Sequence, residues 1–179
     1  MKVVCICGKA QAGKDTVGEF LANQFKELGA KPVVIHYADL LKYICKQYFG
    51  WNGEKDDAGR TILQKVGTDI VRNRCPDYWV DHVVKLLKVF DGEWTHVIIP
   101  DCRFPNEIDG IVEAFPESDI TTIRVVRPNH DNGLSEEQKN HPSETALDHR
   151  HVQFIVMNTK GLEELENVTA SLVQFIGGI

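Results

Sequence analysis

Residues 8–16 read Gly-Lys-Ala-Gln-Ala-Gly-Lys-Asp-Thr, a G-x-x-x-x-G-K spacing. An apolar run, Val3-Val4-Cys5-Ile6-Cys7, precedes it, and an amphipathic stretch with Val17, Phe20, Leu21, Phe25 and Leu28 on one face follows. Strand, glycine loop, helix is the setting this motif requires. Glycines let backbone N–H groups converge on an anion, the helix N-terminus adds partial positive charge, and Lys14 supplies a point charge for the outer phosphates. One position departs from the strict motif. The residue after the lysine should be Ser or Thr, which would hold Mg²⁺, but it is Asp15, and the hydroxyl comes at Thr16. A carboxylate facing a phosphate is unfavourable unless a metal or its water shell lies between. Asp15 is therefore expected either to cap the first helical turn or to approach Mg²⁺ through water.

Further strand-like runs fall at 32–37, 95–100, 120–127 and 152–157, with helical patterns between them. The first helix, about 14–28, meets a stop at Gly29 with Pro32 beyond. Three helical patterns occupy 38–90: one carrying Leu40, Leu41, Ile44 and Tyr48, one carrying Ile62, Leu63, Val66 and Ile70, and one after Pro76-Asp77. A fifth helix starts at Pro105, and the last carries Leu162, Leu165, Val168, Leu172 and Ile176. Alternating strands and helices imply a parallel sheet covered on both sides. The polar stretch 128–150 breaks the alternation, as lids and binding loops do. Ligands in such sheets bind at the C-terminal ends of the strands, so the residues there carry the chemistry.

Asp39 and Lys42 follow the second strand; Asp39 either caps a helix or faces a phosphate acceptor. Asp101 ends the third strand, as a carboxylate that orients Mg²⁺ does. Arg103 lies on the same edge. Its guanidinium suits a phosphate, and the alternative is a salt bridge to Asp101 or Glu107. Arg127 and Arg150 flank the 128–150 stretch and are candidates to reach phosphates. Asn158-Thr159 follows the fifth strand, either as a helix cap or as a rest for a base. Arg60, Gln64, Thr68 and Asp69, extended by Arg72, share one helix face, which is either solvated or holds a base and its phosphate.

These residues carry a resemblance. The chain resembles the nucleoside monophosphate kinases of the P-loop class, most closely the bacteriophage-type deoxynucleoside monophosphate kinases. The likeness rests on G-K-A-Q-A-G-K-D-T at 8–16, Y-A-D-L-L-K at 37–42, R-T-I-L-Q-K-V-G-T-D at 60–69 and Y-W-V at 78–80. It continues through P-D-C-R at 100–103, V-V-R-P at 125–128, H-P-S-E-T-A-L-D at 141–148 and the Asn158 turn. It implies one α/β domain over 1–179, a three-layer α/β/α P-loop kinase fold with a five-stranded parallel sheet. Residues 38–90 would be the helical monophosphate-binding insertion and 128–150 the lid. It further implies ATP- and Mg²⁺-dependent phosphoryl transfer to a (deoxy)nucleoside 5′-monophosphate. Gly8, Ala10, Gln11, Ala12, Gly13, Lys14, Asp15, Thr16 and Asn158 would hold ATP. Asp39, Lys42, Arg60, Gln64, Thr68, Arg72 and Arg103 would hold the acceptor. Lys14, Arg103, Asp101 and Asp39 would be catalytic, and Thr16, Asp15 and Asp101 would serve the metal. The chain is short for the phage family, so a trimmed substrate lobe is expected.

Composition limits the alternatives. A net charge of −6 lacks the basic excess of a nucleic-acid binder. Five cysteines without C-x-x-C spacing fit a reducing compartment rather than a disulfide or zinc framework. No apolar run reaches the ~18 residues of a bilayer span. A cytoplasmic protein acting on small nucleotides, as monomer or homodimer, is the expectation. The rival readings are a kinase of another phosphorylated acceptor, of the dephospho-CoA or phosphomevalonate type, and a nucleotide-binding module without turnover.

Overall fold

The computed structural model describes residues 1–177. Strand β1 (Lys2–Cys7) is buried on both faces, and its side chains alternate between two cores. Val3, Cys5 and Cys7 pack with one cluster, Val4 and Ile6 with the other. That alternation makes a three-layer molecule, because each face must be covered by helices. The sheet has the order β2-β3-β1-β4-β5, with β2 at Pro32–Val34, β3 at His96–Cys102, β4 at Asp119–Val126 and β5 at Phe154–Met157. Every pairing is parallel. The expected five-stranded α/β architecture is therefore observed.

Helix α1 (Lys14–Glu27) buries Val17, Leu21 and Phe25 beside the last helix, α8 (Leu162–Gly177). It ends as its sequence predicts: Gly29 adopts φ +83°, its N–H bonds the Lys26 carbonyl, and the Ala30 N–H reaches back to Phe25. This closes the helix with a Schellman motif. On the opposite face α4 (Tyr78–Val89) and α5 (Pro105–Ala114) bury Trp79, Val80, Val83, Leu87, Ile108 and Ile111. Between β2 and α4 lie α2 (Ala38–Tyr48) and α3 (Asp57–Gln64), and α3 continues as a π-helical stretch, Lys65–Arg72. These elements enclose a small core of their own, built on Cys45, Trp51 and Val66.

The ends of two strands differ from the sequence expectation, each for a physical reason. Strand β2 ends at Val34 rather than residue 37, because the chain turns to start α2. Strand β3 runs past Pro100 to Cys102. Proline cannot donate to a ladder, and the register accommodates it: Cys5 pairs with Ile99 but Cys7 with Cys102, so two residues of β3 face one of β1 in a bulge. Residues 128–150 are ordered around two short helices, α6 (Glu136–Asn140) and α7 (Pro142–Thr145).

Candidate active site

The loop after β1 is shaped by contacts only glycine permits. A Cβ on Gly8 would lie 2.3 Å from the Val125 carbonyl oxygen, and Gly13 holds φ +101°. The Ala12 carbonyl accepts the side-chain amide of Asn158 at 3.0 Å, so the turn after β5 braces the loop from behind. Lys14 is buried, and its ammonium donates to the Lys9 carbonyl at 2.8 Å. Burial first, then the charge of Arg103, lowers its pKa to about 7, against the pull of Glu144, Asp15 and Asp101.

Two cavities meet at this lysine. One is formed by Gln11, Gly13, Lys14, Asp15, Thr16, Arg127, Asn158, Gly161, Leu162 and Leu165, at the loop and the start of α8. The other, of about 360 Å³, runs from Lys14 and Asp15 under the α2–α4 insertion. Its floor is apolar, with Leu41, Leu63, Trp79 and Phe104, and its walls carry Lys42, Arg60, Gln64, Thr68, Arg72 and Arg103. Of the residues expected to hold an acceptor, all but Asp39 line this cavity. The π-helical stretch brings Gly67 and Thr68 to this cavity, and the Trp79 indole donates to the Gly67 carbonyl at 3.1 Å, tying that carbonyl to α4.

The bulge at Pro100 sets Asp101 against the first turn of α2. Its two oxygens accept the N–H groups of Tyr37 and Ala38 at 3.0 and 2.9 Å. Burial raises the pKa of the carboxyl, with the Ala38 amide and His36 pulling the other way. Asp15 meets the His36 imidazole at 3.4 Å. That hydrogen bond lowers the Asp15 pKa and raises that of His36. Asp15 and Asp101 both line the larger cavity under the insertion beside Lys14, and Thr16 lines the other. Oxygen donors of this kind suit Mg²⁺, which keeps several waters and phosphate oxygens and needs few protein ligands. Among the described residues no cluster of three or more acidic, His or Cys side chains forms a metal cage.

Two expected site residues lie elsewhere. Asp39 is exposed, bonds Lys42 at 3.1 Å and His36 at 3.5 Å, and lines neither cavity. Because β2 ends early, it is His36 and not Asp39 that reaches the loop. Arg150 holds Asp109 of α5 through two bonds, at 2.6 and 3.0 Å, and takes no part in either cavity. Arg127 does line the loop-side cavity. Arg103 pairs with neither Asp101 nor Glu107 through its guanidinium. It bonds Glu144 at 2.7 Å and the Gly8 carbonyl at 3.3 Å.

Sequence reading also passed over groups that the structure makes central. Glu107, buried in α5, accepts the backbone N–H groups of Arg103 and Phe104 at 2.5 and 3.0 Å and pairs with Arg72. The Arg72 guanidinium lies 3.9 Å from the centroid of the Phe104 ring. Only the N3 position of Glu107 behind Pro105 hinted at this role, as a capping acid. Glu144 accepts the Ala10 N–H at 2.9 Å. Cys102, between the two site residues, is fully buried and burial pushes its thiol pKa well up, which makes it packing rather than a nucleophile.

A parallel sheet with a glycine loop after its first strand, a lysine at the helix start and a helical insertion beside it defines the P-loop kinase fold. Solved structures share it across nearly their whole length. Dephospho-CoA kinase from Campylobacter jejuni superposes with a TM-score of 0.56 at 16% identity, covering 98% of this chain and 97% of that one. APS kinase CysC of Mycobacterium tuberculosis, in complex with AMPPNP and APS, gives 0.54 at 13% identity over 97% of each. Within this class the chain belongs to the deoxynucleotide monophosphate kinase family, whose profile matches residues 31–168. Deoxynucleotide monophosphate kinase of Enterobacteria phage T4 is 31% identical over 108 residues, 59% of this chain and 41% of that protein. The chain thus matches about two fifths of the length of this curated relative.

Proposed function

We propose that the protein transfers the γ-phosphoryl group of ATP to a (deoxy)nucleoside 5′-monophosphate, with Mg²⁺ as cofactor. The observation that carries this reading is the juxtaposition at Lys14 of two cavities, one at the glycine loop and one floored by aromatic and aliphatic side chains and walled by cations. A base fits the apolar floor between Leu41, Leu63 and Trp79. Gln64 and Thr68 offer hydrogen bonds to its edge. Arg60 and Lys42 have the charge to hold the acceptor phosphate. The name and matched span of the family point the same way.

The chemistry needs alignment and charge neutralisation more than a strong base. The loop amides and Lys14 hold the outer phosphates of the donor, and Arg103, between the loop and the acceptor cavity, meets the charge that develops on the moving group. Asn158 and Arg127 border the donor side, where the nucleoside of ATP lies. Asp15, Thr16 and Asp101 are the residues that would hold Mg²⁺ or its waters, and the ion supplies further neutralisation of phosphate charge. Asp101 also fixes the start of α2 through Tyr37 and Ala38, which couples the metal-facing carboxylate to the acceptor wall. A cytoplasmic setting suits an enzyme dependent on ATP, and the described helices include none long and apolar enough to cross a membrane.

The test is ADP release measured across dAMP, dGMP, dCMP, dTMP, dUMP, their ribose counterparts and dephospho-CoA. Turnover with at least one nucleoside monophosphate, abolished in Lys14→Ala, is the expected result. Turnover with dephospho-CoA alone, or ATP binding without transfer to any acceptor, overturns the reading.

A further inference from the structure

Glu144 lies in the short helix α7, and its side chain is only 7% exposed. One carboxylate oxygen takes Arg103 at 2.7 Å and the other takes the Ala10 N–H at 2.9 Å. Both donors belong to the machinery assigned above to phosphate: Ala10 is in the glycine loop and Arg103 stands at the point of transfer. The segment around Glu144 is fastened to the same loop. The Lys9 ammonium donates to the Glu144 carbonyl and to Asp148, each at 2.6 Å. Arg124 of β4 donates to the Leu147 carbonyl at 2.5 Å. A backbone N–H and a guanidinium converging on one buried carboxylate form an anion site, and here the anion comes from the chain itself.

We infer that Glu144 is a built-in surrogate for a nucleotide phosphate, which occupies the anion site when no ligand is present and leaves it when phosphate binds. This rests on the assignment of the loop and Arg103 to phosphate. Two anions cannot share these donors. Like charges this close repel, and more strongly the further they are withdrawn from water. An incoming phosphate offers more acceptor oxygens than a carboxylate, so it takes Ala10 and Arg103, and Glu144 moves with α7 toward solvent. Glu144 thereby keeps the Ala10 N–H and Arg103 satisfied, at the expense of phosphate affinity. Residues 141–148 act as a latch that polyphosphate opens.

The experiment is calorimetric titration of wild type and Glu144→Gln with inorganic tripolyphosphate and with ATP. The variant keeps an acceptor for the Ala10 N–H but loses the competing charge. It is expected to bind both ligands about tenfold more tightly, the factor that matches one charge-assisted hydrogen bond. Equal or weaker binding by the variant overturns the inference while leaving the phosphate site standing. Absence of binding by both proteins overturns the phosphate site and the inference with it. Hydrogen exchange on wild type gives a second readout that needs no variant. Peptides spanning 141–148 are expected to exchange faster when tripolyphosphate is bound, and unchanged or slower exchange counts against the latch.

Discussion

The Lys14 ammonium donates to the carbonyl of Lys9 at 2.8 Å, inside the loop it is expected to serve. Burial lowers its pKa to about 7, so without ligand it is largely neutral above that pH. Bound polyphosphate favours the charged form. The linkage then has a definite sign. Below about pH 7 Lys14 is already protonated, and binding takes up no proton there. Above it, binding must draw one proton from solution, and affinity falls by up to about tenfold per pH unit until the pKa of the complex is reached. Calorimetry of ATP binding at pH 8 in buffers of different ionisation heat is expected to show uptake approaching one proton, and Lys14→Ala is expected to lose it. Uptake that persists in the variant assigns the proton to another group.

The brace from Asn158 to the loop gives a second prediction. A Cβ on Gly13 would sit 2.8 Å from the Asn158 side-chain amide, and φ +101° is strained for any residue with a side chain. Gly13→Ala is expected to lower stability by about 1–3 kcal/mol and to weaken ATP binding. In an Asn158→Ala background the clash is gone and only the dihedral cost remains. Denaturant titration of the four proteins should therefore show the two substitutions costing less together than their separate costs add to, by about 0.5 kcal/mol or more. Strict additivity means that the brace does not couple to the glycine.

The two arginines Arg103 and Arg150, both expected at the site, separate sharply. Arg103 touches the loop, and Arg150 is spent on Asp109. Arg103→Ala is expected to reduce turnover by about 10³-fold, the scale seen for arginines that stabilise transferring phosphoryl groups. Arg150→Ala, which removes a surface pair, is expected to leave turnover within about twofold and stability within about 1 kcal/mol. Steady-state kinetics on both variants decides this. A large loss of turnover in Arg150→Ala would return that residue to the lid role its position in the sequence suggests.

The divide between these arginines shows what the sequence makes legible. The glycine loop, α1 and the alternation of strands with helices are readable because each depends on neighbours a few residues away: the spacing of glycines, a helical face, the stop at Gly29. The polar wall of the larger cavity is readable for the same reason, since Arg60, Gln64, Thr68 and Arg72 lie along one continuous helical stretch. Asp39 looked like a site residue because the second strand was expected to run to 37. Ending it at Val34 moves His36 into reach of Asp15 and turns Asp39 outward. Glu144 gave no local signal: its partner Ala10 is 134 residues away. Pro100 signals a strand end when read locally, whereas the bulge that absorbs it needs β1 alongside.

Glu107 and Arg72 form the most buried ion pair described, with side-chain exposures of 2% and 11%. Glu107 also receives the Arg103 and Phe104 amides, and Arg72 rests on the Phe104 ring. The pair thus fixes the backbone of Arg103 and one end of the cavity proposed to take the acceptor at once. Burying two charges brings little net gain, but removing one partner strands the other. Glu107→Gln is expected to cost about 3 kcal/mol of stability and to raise the KM for the nucleoside monophosphate more than that for ATP. Arg72→Met keeps an unbranched apolar side chain against Phe104 while removing the stranded charge. The double variant Glu107→Gln, Arg72→Met is therefore expected to recover much of the lost stability in urea titrations while the acceptor KM stays high. If the double variant is no more stable than Glu107→Gln alone, the cost lies in the amide contacts of Glu107 and not in its charge.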